Sequence, residues 1–138
     1  MEKSLYDTGF LFAVLDEKDP HHEKCRTVYE NQIGSGILPD IVIPELAYLI
    51  LRELDVKSLV RFLRRVVEKD FIIERTTETD LERAAEILEK YNDNNVDLVD
   101  AVIVAMAERL DITKILTVDR RHFSVFRPEH CEVFEILP

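Results

Sequence analysis

The segment from Leu98 to Ala107 constrains the fold more than any other: nine of its ten residues are apolar, and the exception is Asp100. A helix that is apolar on every side has no face for water and belongs inside a core. An ionised carboxylate in such a place costs several kcal/mol or neutralises by a pKa shift, so Asp100 needs a partner. The chain has 138 residues, which is one domain's worth. Its 46% hydrophobic content, with only 3 Gly and 5 Pro, is that of a globular protein. No repeat, low-complexity tract or Gly/Ser linker divides it, and residues 1–138 read as a single domain.

Period and punctuation alternate strands with helices along the whole length. Ser4 to Tyr6 reads as a strand, turning at Asp7, Thr8 and Gly9 into an apolar helix through Leu15. Pro20 opens a helix to about Asn31, and Ile33 to Pro39, with Gly34, Ser35 and Gly36, reads as a loop. The β-branched run Ile41 to Ile43 predicts the second strand, with Pro44 as the first residue of a helix to about Leu54. Leu59, Phe62, Leu63, Val66 and Val67 recur at helical spacing, and Phe71 to Ile73 predicts a third strand. Helices starting at Thr79 or Asp80 and spanning about Asp97 to Leu110 follow, then strands at Ile115 to Val118 and Cys131 to Ile136. This alternation predicts a three-layer α/β/α sandwich around a mostly parallel sheet of four to five strands. In such sheets ligands bind beyond the carboxyl ends of the strands.

Four acids stand out against apolar surroundings. Asp7 is the only charge between Leu5 and Leu15, and Glu45 the only one between Ile41 and Leu51. Asp100 is the only charge from Leu98 to Ala107, and Asp119 follows Ile115 to Val118. Each has a plain structural reading. Asp7 caps the next helix, Glu45 answers a helix dipole, and Asp119 is a turn residue. Asp97 and Asp100 have the spacing of a capping box. Taken together, four isolated carboxylates at one sheet edge are better explained by a shared cause. Hard oxygen ligands suit Mg²⁺ or Mn²⁺, and one divalent cation satisfies all four.

Four stretches then carry a resemblance. Tyr6-Asp7-Thr8-Gly9-Phe10-Leu11, Pro44-Glu45-Leu46-Ala47-Tyr48-Leu49, Asp97-Leu98-Val99-Asp100-Ala101 and Leu116-Thr117-Val118-Asp119-Arg120-Arg121-His122-Phe123 resemble, in order, the PIN-domain family. The likeness is greatest to its small prokaryotic ribonucleases, the toxin halves of type II toxin-antitoxin pairs. It implies a PIN-like fold and a metal-dependent endoribonuclease acting on single-stranded or structured RNA. Asp7, Glu45, Asp100 and Asp119 would be catalytic metal ligands, Asp97 a less regular fifth acid, and Thr8 and Thr117 hydroxyls that orient the cluster. A cognate antitoxin and a homodimer are further expectations of the likeness.

Phosphodiester hydrolysis needs an activated water and neutralised phosphoryl oxygens, which one or two Mg²⁺ or Mn²⁺ ions supply without a Ser, Cys or His nucleophile. Arg120, Arg121 and His122, immediately after Asp119, could hold phosphate, with Arg120 and Arg121 the candidate contacts, while Arg61, Arg64 and Arg65 read as a solvated helix face. His21 and His22 read as exposed residues at a helix start. The alternative is a binding module whose acidic pocket docks a basic partner. Phospho-aspartate chemistry fits poorly, since Gly9 stands where a haloacid-type phosphatase has its second Asp. The balance of 28 Asp plus Glu against 18 Lys plus Arg, a net charge of -10, speaks against a broad nucleic-acid-binding surface. Cys25 and Cys131 form no metal-type pair and suit a reducing cytoplasm, and the apolar run Phe10 to Leu15 is too short to span a membrane.

Overall fold

A computed structural model of the chain describes residues 2–68 and 70–138. Among them are five strands: β1 (Ser4–Tyr6), β2 (Gly36–Pro39), β3 (Ile72–Glu74), β4 (Lys114–Leu116) and β5 (Glu135–Leu137). They form one sheet in the order β3-β2-β1-β4-β5, and every neighbouring pair is parallel. Parallel neighbours need crossover connections. These are α1 (Thr8–Leu15) and α2 (His22–Asn31), then α3 (Val42–Glu53) and α4 (Val56–Val67), then α5 (Glu78–Lys90) and α6 (Leu98–Leu110). The short α7 (Arg120–Ser124) leads from β4 towards β5. Helices α1 to α4 pack as one group and α5 against α6 as another, which gives the α/β sandwich its helical layers.

Helix α6 occupies the core, with every residue from Val99 to Ala107 buried. Each fully buried large apolar side chain there is worth about 1.5–3 kcal/mol. Tyr6 stacks on Phe10 and meets Tyr29 and Phe71, while Phe123 and Phe126 form a second aromatic group with Tyr91 and Phe134. No helix among the described residues is long and apolar enough to cross a membrane.

The second strand is not Ile41 to Ile43 but Gly36–Pro39, inside the segment that composition marks as a loop. Gly36 pairs with Ser4 of β1, and the ring of Tyr6 stands where a Cβ on Gly36 would be. The glycine is therefore a packing requirement of a buried strand rather than a turn signal. The chain turns at Asp40, whose Oδ1 accepts from Thr76 N (3.1 Å) and Oγ1 (2.6 Å) beyond β3. Ile41 is already in the right-handed helical region, and Val42 opens α3. Pro44 is the third helical residue, not the first; its missing N–H is one of those that have no partner in a helix's first turn. Thr77, not Thr79 or Asp80, caps α5, with Asp80 closing the capping box.

Candidate metal centre

Strands β2 and β3 lie to one side of β1 and β4 to the other, so the connections diverge between β1 and β4. A crevice at the carboxyl ends of strands is expected at such a switch point. Asp7 directly follows β1, and Thr117 and Asp119 follow β4. The two strand ends are tied by Asp7 N donating to the Leu116 carbonyl at 2.9 Å.

Asp7 caps α1 from an extended backbone, its Oδ1 accepting from Thr8 N at 2.8 Å. Its Oδ2 accepts from Thr117 Oγ1 at 2.7 Å, and the same hydroxyl accepts from Asp119 N at 2.9 Å. Asp119 caps α7 through Oδ1, which accepts from His122 N at 3.1 Å. Asp97 and Asp100 cap α6 reciprocally: Asp97 Oδ1 accepts from Asp100 N at 2.9 Å, and Asp100 Oδ2 accepts from Asp97 N at 3.5 Å. Capping and clustering are thus not alternatives. Each cap spends part of a carboxylate on the backbone and fixes where its remaining oxygen points.

Glu45 differs in origin. It does not follow a strand but sits half-buried in the first turn of α3, from where its charge reaches Asp7. Burial pushes the Asp7 carboxyl up to about 6, against the hydrogen bonds from Thr117 and Thr8, and the charges of Glu45 and Asp97 add to the rise. Burial likewise raises Asp100 well above the usual carboxylate range, with Asp97, Asp7 and Asp119 contributing in that order. Asp97 itself is exposed. All five acids therefore act on one electrostatic site, with Asp7 and Asp100 at its buried floor.

The sequence places His122 beside Asp119 as a residue that could hold phosphate; the structure instead turns its ring to the acids. Its Nδ1 lies 3.0 Å from Asp119 Oδ2 and 3.4 Å from Asp100 Oδ2. The signal was the i,i+3 spacing from Asp119, which puts both side chains on one helical turn. Arg120 turns away: its guanidinium donates to the Ile136 carbonyl at 3.2 Å and to that of Pro138. Arg121 is exposed on α7.

The PIN domain profile matches residues 5–127, which spans all of these acids. The chain belongs to the PIN-domain family. A ribonuclease of Mycobacterium tuberculosis, VapC26, is 30% identical over 134 residues, covering 97% of this chain and 99% of its own. Among solved structures, the Mycobacterium tuberculosis toxin VapC20, described as cleaving the sarcin-ricin loop, superposes with a TM-score of 0.82 at 19% identity. That match covers 96% of this chain and 100% of VapC20. The DNA-bound VapBC complex of Salmonella typhimurium superposes with a TM-score of 0.70 at 16% identity, covering 99% and 97%. At these identities the structural matches speak for the fold.

The donor set of this PIN domain suits a hard divalent ion. It centres on the carboxylates of Asp7 and Asp100, whose proton affinity is raised, and next to Asp7 the buried Thr8 hydroxyl has no hydrogen-bond partner. Among the described residues, no three His, Cys, Asp or Glu side chains stand together at metal-holding spacing. Mutual repulsion opposes a tighter grouping of these carboxylates, and a divalent cation would relieve it.

Proposed function

We propose that this PIN domain is a Mg²⁺- or Mn²⁺-dependent endoribonuclease of the cytoplasm and the toxin of a toxin-antitoxin pair. One observation carries the reading: Asp7 and Asp100, both buried and both raised in pKa, lie at the switch point of the sheet in the field of further acids, Glu45 and Asp97 acting on Asp7, and Asp97 and Asp119 on Asp100. The 30% identity to a named ribonuclease across almost the full length of both chains supports the reaction class.

A bound divalent ion supplies an activated water and neutralises phosphoryl oxygens. Asp7, Asp100 and Asp119 would hold it, with Glu45 facing them from α3 and Asp97 fixing the start of α6. Thr117 keeps one Asp7 oxygen in place while its own oxygen binds the Asp119 amide. Arg121, exposed one residue beyond Arg120, is the candidate phosphate contact on the rim. With a surface this acidic, RNA is selected at the site rather than by a broad field. Exposed apolar side chains on α3 and α4, among them Tyr48, Leu51, Val56, Leu63 and Val67, offer surface for an antitoxin or a second copy.

The test is cleavage of total tRNA and ribosomal RNA with Mg²⁺ or Mn²⁺. Asp7→Asn and Asp100→Asn should each abolish it while circular dichroism stays unchanged. Full activity in either variant overturns the metal reading. A second reading, a PIN fold kept as a docking module for a basic side chain, is favoured by the absence of a ready three-ligand group among the described residues. Calorimetry separates the two, since only the nuclease binds Mn²⁺.

A further inference from the structure

We infer that His122 is the positioning residue of this centre, a strut that holds the carboxylates of Asp100 and Asp119 within reach of the same cation. The inference rests on the metal reading for its purpose but not for its geometry.

Asp100 and Asp119 come from different parts of the fold, one from the first turn of α6 and the other from the cap of α7. Their charges repel, and Asp119 contributes to the raised pKa of Asp100. Backbone amides hold one oxygen of Asp119 and, more weakly, one of Asp100, but no backbone contact connects the two side chains. His122 makes that connection. Its Nδ1 faces Oδ2 of both, at 3.0 Å and 3.4 Å, and its own amide donates to Asp119 Oδ1. The ring is itself only about one-third exposed. With the ring protonated, a single nitrogen stands within ion-pair reach of both oxygens.

A cation needs its ligands close together. Cis ligands of an octahedral Mg²⁺ or Mn²⁺ at about 2.1 Å stand roughly 3 Å apart. A single donor bridging two carboxylate oxygens holds them near each other before the ion arrives and lowers the reorganisation that binding requires. Groups that orient metal ligands typically change affinity about 10–100-fold when removed. The nearest precedent within the chain is Thr117, which performs the same task between Asp7 and the Asp119 backbone.

Two measurements test this on the full chain. In the metal-free protein at one fixed pH, carboxyl ¹³C resonances of both Asp100 and Asp119 should move in His122→Ala and return towards wild type in His122→Asn, whose amide N–H replaces Nδ1–H. In Mn²⁺ titration by calorimetry, His122→Ala should bind at least about tenfold more weakly, and His122→Asn should recover most of the loss. Unmoved Asp100 and Asp119 resonances, or His122→Ala binding Mn²⁺ as tightly as wild type or more tightly, would overturn the strut. If wild type binds no Mn²⁺ while the resonances behave as stated, the strut stands and the metal reading falls.

Discussion

Thr117 Oγ1 donates to Asp7 Oδ2 at 2.7 Å and accepts from Asp119 N at 2.9 Å, so one hydroxyl couples the end of β1 to the turn after β4. Both Thr117 and Asp7 are buried, and loss of the hydroxyl leaves an Asp7 oxygen without its donor. Thr117→Val should cost about 1–3 kcal/mol in urea denaturation and weaken Mn²⁺ binding. Thr117→Ser should stay near wild type in both measurements.

The raised carboxyls set a pH dependence whose sign is opposite to ordinary acid denaturation. Asp7 rises from 3.8 to about 6 on folding, chiefly through burial, and Asp100 rises as well. The native state therefore holds more protons than the unfolded chain, and this contribution to stability, fully present below about pH 4, is lost as pH climbs through 6 and beyond. Metal-free protein should melt at least roughly 5 °C lower at pH 9 than at pH 5. Asp7→Asn with Asp100→Asn should flatten the profile, and saturating Mn²⁺ should do so as well. Scanning calorimetry across that range is the measurement; a melting temperature that rises steadily with pH would refute the assignment.

Asp80 provides a control away from the site. It is buried, and Arg109 grips it with two hydrogen bonds, Nε to Oδ1 and Nη2 to Oδ2, each 2.9 Å. Burial alone would raise its pKa, but the bonds from Arg109 and Thr77 outweigh it and hold Asp80 below its ordinary value. Its contribution is present above the unfolded pKa and lost as pH falls through the lower folded one. Asp80→Ala should destabilise by about 3–5 kcal/mol in denaturant titration, leaving Mn²⁺ affinity unchanged while folded.

Gly36→Ala places a methyl group against the Tyr6 ring. Overpacking of this kind costs about 1–3 kcal/mol, which a shifted denaturation midpoint would report. The double variant with Tyr6→Leu should recover part of the loss, because the obstructing ring is gone.

Asp7, Glu45 and Asp100 were conspicuous because each is the lone charge in an apolar run, and Asp119 because it follows one. Helix α6 was legible for the same reason, being apolar around its full circumference. Strand β2 was not, because Gly36 and Pro39 carry the composition of a turn while the reason for the glycine, the Tyr6 ring, lies 30 residues earlier in the chain. The β-branched run Ile41 to Ile43 belongs to the start of α3, where burial rather than strand propensity selects Val42. The turn of His122 to the acids was hidden differently: its spacing to Asp119 is local, but its contact with Asp100 exists only once α6 and α7 meet.

Asp7 and Asp119 stand more than a hundred residues apart in the chain, yet β1 and β4 are immediate neighbours in the sheet. The site therefore exists only once two distant segments have been joined, and a fragment that carries either one alone lacks it.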